Sequence, residues 1–230
     1  MAGEDAAADG VRGERDRLAR AYAEREKAAR DSIGWSWLVP EAHWLDFRIQ
    51  RFLAQSIVEC GWPAARAADC RLLEVGCGGG QVLRWLYDCG LRRLYGCDVI
   101  DWRAQQARVT SPFAEVTVAD MAQLPYADGS FDVVVQVTTF SSCLDAALKK
   151  SGVREFCRVL KRGGVVLWCD ILPDAKPAGP ARGIDAHELQ ALFPGAAFSF
   201  STFGAKPSWI GRLASVGSQG PGVILRKLGR

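Results

Sequence analysis

Leu72-Leu73-Glu74-Val75-Gly76-Cys77-Gly78-Gly79-Gly80 is the stretch whose reading decides the fold. An apolar run ends in an acid and a glycine-spaced turn. Gln81 to Cys89 then carries Val82, Leu83, Trp85, Leu86 and Cys89 at helical spacing. The order is strand, tight turn, helix. Glycines at 76, 78 and 80 open dihedrals closed to other residues and let the main chain approach a ligand. The helix behind them offers N–H groups and the positive end of its dipole. Such a turn either seats a nucleotide-like cofactor at the carboxyl edge of a sheet or simply connects strand to helix.

Downstream, the pattern alternates. Arg93 to Asp98 reads as a second strand, Trp102 to Val109 as a helix, and Ala114 to Asp120 as a third strand. Met121 to Leu124 reads as a short helical turn. Phe131 to Val137 is apolar almost throughout, as in a central parallel strand buried on both faces. Ser141 to Leu144 form its exit, and a helix runs from about Ser151 to Leu160. Lys161-Arg162-Gly163-Gly164 turns the chain into a fifth strand, Val165 to Asp170. Residues 172–183 read as a loop, Asp185 as the cap of a helix at 186–193, and Ala196 to Phe203 as a sixth strand. Trp209 to Leu213 has the spacing of a short helix, and Val223 to Leu228 that of the last strand. The whole predicts an α/β fold, a doubly wound, seven-stranded, mostly parallel sheet.

Upstream, residues 1–10 are rich in Ala, Gly and Asp and are expected to be a disordered tail. Residues 11–31 interleave Arg and Glu on an exposed helix. After the aromatic Ile33-Gly34-Trp35-Ser36-Trp37, a helix from about Glu41 to Cys60 repeats Trp44, Leu45, Ile49, Phe52, Leu53, Ile57 and Val58. We read 11–65 as a helical lid or cap and 66–230 as the ligand-binding domain.

Three acids fall at strand ends or immediately before the turn: Glu74, Asp98 and Asp120. In an open parallel sheet these ends share the edge where ligands bind. An acid after the second strand can accept both hydroxyls of a ribose, and one after the third can accept an adenine amine.

With these residues quoted, the chain resembles the class I S-adenosylmethionine-dependent methyltransferases over about 70–172. Leu73 to Gly80 is similar to the family's glycine motif and Gly96-Cys97-Asp98-Val99 to its ribose motif. Ala119 to Tyr126 with Asp128 to Asp132 is similar to its adenine-site and strand-four signature, and Glu155 to Gly164 to the turn before strand five. The resemblance implies S-adenosyl-L-methionine as cofactor and a Rossmann-like sheet with an N-terminal helical lid. It implies a cofactor set of Glu74, Gly76, Cys77, Gly78, Gly80, Asp98, Val99, Asp120, Met121 and Gln136. In that set the turn faces the methionine part and Asp98 holds the ribose. Val99, Asp120 and Met121 surround the adenine, and the Gln136 carbonyl lies by the methionyl ammonium. A narrower similarity, through Gln136 to Asp145, Leu167 to Asp170, Arg182-Gly183-Ile184 and Leu192 to Gly195, is to bacterial methyltransferases found among saccharide and secondary-metabolite genes. It implies a small-molecule methyl acceptor.

The acceptor half departs from the family. Where many relatives carry a histidine pair, Thr138-Thr139-Phe140-Ser141-Ser142 offers hydroxyls. Two histidines exist. His187 is expected on the surface, whereas His43 and the strand-end Asp170 are the candidate general bases for a hydroxyl acceptor. That acceptor is expected between 33–47, 138–145 and 170–183.

A net charge of +3 is too small to argue for nucleic acid or membrane, and the basic residues of 11–31 alternate with acids. The eight cysteines form no Cys-x-x-Cys pair, so a metal site is not expected. The charged N-terminal stretch has no apolar run of the secretory kind, so a cytoplasmic protein with reduced thiols, monomer or homodimer, is expected. Two alternatives stay open. One is an NAD(P)-dependent oxidoreductase, since Asp98 could hold that ribose too, although the glycine spacing and the missing Tyr-x-x-x-Lys argue against it. The other is a non-catalytic relative that binds cofactor without transferring methyl.

Overall fold

The computed structural model describes residues 2–31, 40–59, 67–171, 181–202 and 209–216, with side chains at 13–27, 46–59, 67–171 and 181–196. The aromatic segment before Pro40, Gly61 to Pro63, most of the 172–183 loop and the expected strand Val223 to Leu228 lie outside the described residues.

Seven strands are described: β1 (Arg71–Val75), β2 (Arg93–Asp98), β3 (Glu115–Val118), β4 (Phe131–Val137), β5 (Leu160–Ile171), β6 (Ala196–Thr202) and β7 (Trp209–Val216). They lie in the order β3-β2-β1-β4-β5-β7-β6. From β3 to β5 every pairing is parallel, and β7 runs antiparallel to both β5 and β6. The register sets Val75 beside Cys97 and Gln136, so the ends of β1, β2 and β4 meet at one carboxyl edge.

Alternation along the central strands builds two cores. Leu73, Val75, Val134, Val166 and Trp168 point to one face, under α6 (Ala146–Val159) and α7 (Ala186–Leu192), with Val153, Phe156 and Leu189 against them. Leu72, Val133, Val135, Leu167 and Cys169 point to the other, under α3 (Gln81–Asp88) and α4 (Asp101–Thr110), with Leu83, Leu86 and Ala107 against them. Each fully buried apolar side chain here stabilises by about 1.5–3 kcal/mol. Helices on both faces make the sheet doubly wound, as the sequence predicts.

The N-terminal helices divide differently from the sequence reading. α1 spans Ala2–Asp31 and α2 spans Pro40–Glu59. α1 starts nine residues earlier than expected, so the 1–10 stretch is helical from Ala2; Ala6-Ala7-Ala8 favours helix strongly enough to extend it. Pro40 opens α2, one residue before the expected start, because a proline at a first helical position loses no hydrogen bond. Ile49, Phe52 and Leu53 of α2 are buried in the same core as Leu72 and Leu167. Among the described side chains, Ile49, Phe52 and Leu53 thus make α2 a layer on the sheet, while α1 makes contacts at the carboxyl edge.

Other differences are local. Residues 121–124 form turns without a helix, held by Gln123 N–H donating to the Asp120 carbonyl. The exit of β4 is itself a helical turn, α5 (Thr139–Ser142). α6 begins at Ala146 rather than Ser151, because the Asp145 carboxylate accepts from Ala147 and Leu148 N–H at 2.7 and 3.0 Å. Residues 160–164 belong to β5, where a register shift against Phe131 and Val133 absorbs the glycine pair. Trp209 to Val216 is a strand, not a helix, filling the gap between β5 and β6. Among the described residues no helix is long and apolar enough to cross a membrane. Cysteines 70, 77, 89, 97, 143, 157 and 169 are free thiols.

Candidate functional site at the carboxyl edge

The glycine turn is built from its own backbone. Gly76 and Cys77 N–H both donate to the Cys97 carbonyl, at 2.8 and 2.9 Å, so the turn is tied to the end of β2. Gly80 N–H donates to Cys77, and Gly76, Gly78 and Gly80 have φ of 73°, 53° and 83°. These three N–H groups are spent within the turn and on the end of β2. A Cβ on Gly80 would stand 3.0 Å from the Ala107 backbone, and one on Gly76 would meet the Thr139 side chain. Thr139 Oγ1 donates to the Val75 carbonyl at 2.9 Å, so α5 is laid directly on the turn.

Asp98 is buried at the end of β2. One oxygen accepts from Gly78 N–H and the other from Ile100 N–H, each at 2.9 Å. Both bonds orient the carboxylate and leave lone pairs for further donors. Burial pushes its pKa up, opposed by those N–H bonds and by Arg103. Glu74 is also buried. Burial and the Asp98 charge raise its pKa well above the ordinary range. Its Oε2 is buried without a hydrogen-bond partner among the described residues, so an acceptor position beside the turn stands unmatched. Cys77 is buried under the same turn.

Val99, Asp120 and Met121 are half-buried where β2 and β3 end. Ala119 N–H donates to the Asp98 carbonyl at 3.0 Å, and the Asp120 carboxylate turns back to Ala122 N–H at 2.8 Å. The 119–128 loop is pinned from α6. Glu155 accepts from Leu124 N–H at 2.7 Å, and Arg158 donates to the Leu124 and Tyr126 carbonyls and to Asp128. The Glu155 to Gly164 motif therefore acts on the site from behind by holding that loop.

Gln136 and Asp170 form one buried network. Gln136 Oε1 accepts from Thr139 N–H at 2.9 Å, and its amide donates to the Cys169 carbonyl and to Asp170 at 3.3 Å. Asp170 is fully buried and accepts from Ile171 N–H at 2.9 Å and Ser141 N–H at 3.2 Å. Burial lifts its pKa to about 6. Its oxygens thus grip α5 from inside. Thr138, between β4 and α5, has φ 59°, an unusual conformation for a β-branched residue.

His43 sits in the first turn of α2, and its side chain lies outside the described ones. His187 is exposed on α7, as expected. Of the segments expected around the acceptor, 138–145 is described throughout, while 32–39 and 172–180 lie outside the described residues.

Two residues at this edge, Arg103 and Tyr22, escape sequence reasoning. Arg103 of α4 lays its guanidinium over Gly78, where a Cβ on that glycine would stand. Tyr22 of α1 stacks on it, with the guanidinium carbon 4.2 Å from the ring centroid. The Tyr22 hydroxyl is 2.9 Å from Ser142 Oγ, Arg17 donates to the Ser142 carbonyl, and Leu144 N–H donates to Glu14 at 2.7 Å. No local signal marks Arg103 or Tyr22, because only the packing of α1 brings them together.

Residues 73–168 match the methyltransferase-domain family. An arsenite methyltransferase of Aquipseudomonas alcaligenes is 32% identical over 144 residues, covering 54% of this chain and 39% of that protein. The 27-O-demethylrifamycin SV methyltransferase of Amycolatopsis mediterranei is 31% identical over 125 residues, covering 52% and 44%. A solved S-adenosylmethionine-dependent methyltransferase from Methanosarcina mazei shares the fold with a TM-score of 0.57, at 18% identity over 71% of this chain and 94% of that one. The chain spans about two fifths of the length of these curated relatives.

Proposed function

We propose, on the premise that this chain belongs to the class I S-adenosylmethionine-dependent methyltransferases, that it methylates a hydroxyl of a small molecule, a sugar or a secondary metabolite. The cofactor of that family is S-adenosyl-L-methionine. The residues at the edge fit it: a ribose-type acid already oriented by two N–H groups, a buried Glu74 oxygen without a partner among the described residues, and a seat at Gly78 filled by nothing stiffer than an arginine side chain. In this reading Glu74 and the Gly76-Cys77-Gly78 turn, with Gly80 behind it, hold the methionyl side, Asp98 the ribose, Val99, Asp120 and Met121 the adenine, and Gln136 the ammonium.

When bound, the cofactor supplies a methyl group already activated on a sulfonium. The protein aligns the acceptor and keeps water out. α5, fixed by Asp170 and Gln136, leaves Thr139 and Ser142, with Thr138 before it, half-buried at the edge. With its oxygens engaged by Ile171, Ser141 and Gln136, Asp170 serves in this reading as the anchor of α5, and His43 as the base that takes the hydroxyl proton. His43→Ala is expected to lower turnover by about 10²–10⁴-fold with cofactor affinity unchanged.

Asp98 is the observation that carries the reading: a buried acid at the end of β2, fixed against the glycine turn. The small-molecule acceptors in the two relatives' names support the substrate class, and the rifamycin name specifies an oxygen. The test is transfer of labelled methyl to a panel of hydroxylated small molecules, with amines and thiols alongside. Label on hydroxyls supports the proposal, and label on amines or thiols alone replaces its acceptor. Cofactor binding without transfer to any member favours the non-catalytic alternative.

A further inference from the structure

The seat at Gly78 is filled by the chain itself. Gly76 and Gly80 face side-chain and backbone atoms of stiff neighbours, Thr139 and Ala107, whereas Gly78 faces the far end of a long, flexible side chain. Arg103 Nε is buried and has no hydrogen-bond partner among the described residues. Its guanidinium lies near enough to Asp98 and Glu74 to favour their charged forms. What fixes it from outside is the Tyr22 ring, itself approached by Arg25 at 5.4 Å on α1. Asp98 accepts the Gly78 N–H, so a ribose bound to Asp98 must pass along Gly78 and meet the guanidinium.

From this we infer that Arg103 is a displaceable plug in the cofactor seat, latched by Tyr22, so that cofactor binding expels the guanidinium from Gly78 and releases the Tyr22 face of α1. The inference rests on the cofactor reading above. A binding-competent state populated only in part weakens apparent affinity by that fraction, and removing the plug or its latch restores it. By reciprocity, a ligand that weakens the Tyr22–Arg103 contact loosens α1.

The experiment titrates S-adenosylhomocysteine into the full chain by calorimetry and follows hydrogen exchange over residues 13–27. Arg103→Met and Tyr22→Ala are each expected to bind about 2- to 30-fold more tightly than the unaltered protein, the range of a cation–π contact. Tyr22→Phe keeps the ring, loses the hydroxyl bond to Ser142, and is expected to bind like the unaltered protein. In the unaltered protein the ligand is expected to speed exchange over 13–27, and in Tyr22→Ala to leave it unchanged. Weaker or equal binding by Arg103→Met or Tyr22→Ala overturns the plug. Tighter binding by Tyr22→Phe, equal to that of Tyr22→Ala, overturns the ring as its latch, and slower or unchanged exchange in the unaltered protein overturns the release of α1. Absence of binding in the unaltered protein and every variant instead removes the cofactor reading, and the plug with it.

Discussion

The two halves of the carboxyl edge are built by different means. On the β1–β3 side, the turn, Asp98 and the 119–122 segment are held mainly by backbone bonds between strand ends close in register. On the other side, α5 is held by side chains from distant places: Asp170 from the end of β5, and Arg17, Glu14 and Tyr22 from α1. The first half is set by local backbone demands that glycine and acid positions announce. The second is a set of long-range contacts, and its residues make sense only once assembled.

Gly80→Ala attacks the first half where it is stiffest. It places a Cβ at positive φ against the Ala107 backbone, and is expected to cost about 2–4 kcal/mol in denaturant unfolding. Asp170→Asn attacks the second, since it turns an amide donor toward the Ser141 and Gln136 donors; a loss of about 1–3 kcal/mol is expected. That loss carries a pH signature. A carboxylate whose folded pKa is raised to about 6 binds more protons folded than unfolded. Its contribution is therefore complete below the unfolded value, near 4, and disappears as pH rises through 6. The difference between the unaltered protein and Asp170→Asn is expected to be about 1 kcal/mol larger at pH 5 than at pH 8. An equal or opposite difference would mean that Asp170 is charged and well solvated.

Smaller effects sharpen the contrast. Arg17→Ala removes the bond to the Ser142 carbonyl and the pair with Glu14, and is expected to speed exchange in α1 by about tenfold and, through the coupling to Tyr22, to shift cofactor affinity only toward tighter binding. Gly90, just past α3 with φ 104°, has nothing near its Cβ position, so Gly90→Ala should cost only about 1 kcal/mol. Comparing it with Gly80→Ala separates backbone strain from packing.

The first half was legible because its constraints are written next to each other. The strand at 71–75 with Glu74 next to its end, three glycines at positive φ and Asp98 three residues before a helix leave few other folds. Reading ran out where partners are distant. Trp209-Ile210-Gly211-Arg212-Leu213 has helical spacing, yet its backbone completes the ladder between β5 and β6. The strand-end rule makes Asp170 an edge acid, but α5, four residues long and too short for any periodicity, folds over it. Tyr22 sits on a helix whose charge pattern announces only solvent, and its partner Arg103 is one arginine among many until α1 docks.

The central claim is that Asp98 and the glycine turn form an S-adenosylmethionine seat, and calorimetric titration of S-adenosylhomocysteine into the full chain and into Asp98→Asn tests it most directly. Saturable binding is predicted for the unaltered protein. Removing the charge from this acceptor should weaken it by about 10- to 150-fold while circular dichroism reports an intact fold. Equal affinity in the two proteins, or no binding where NAD binds instead, would contradict the account.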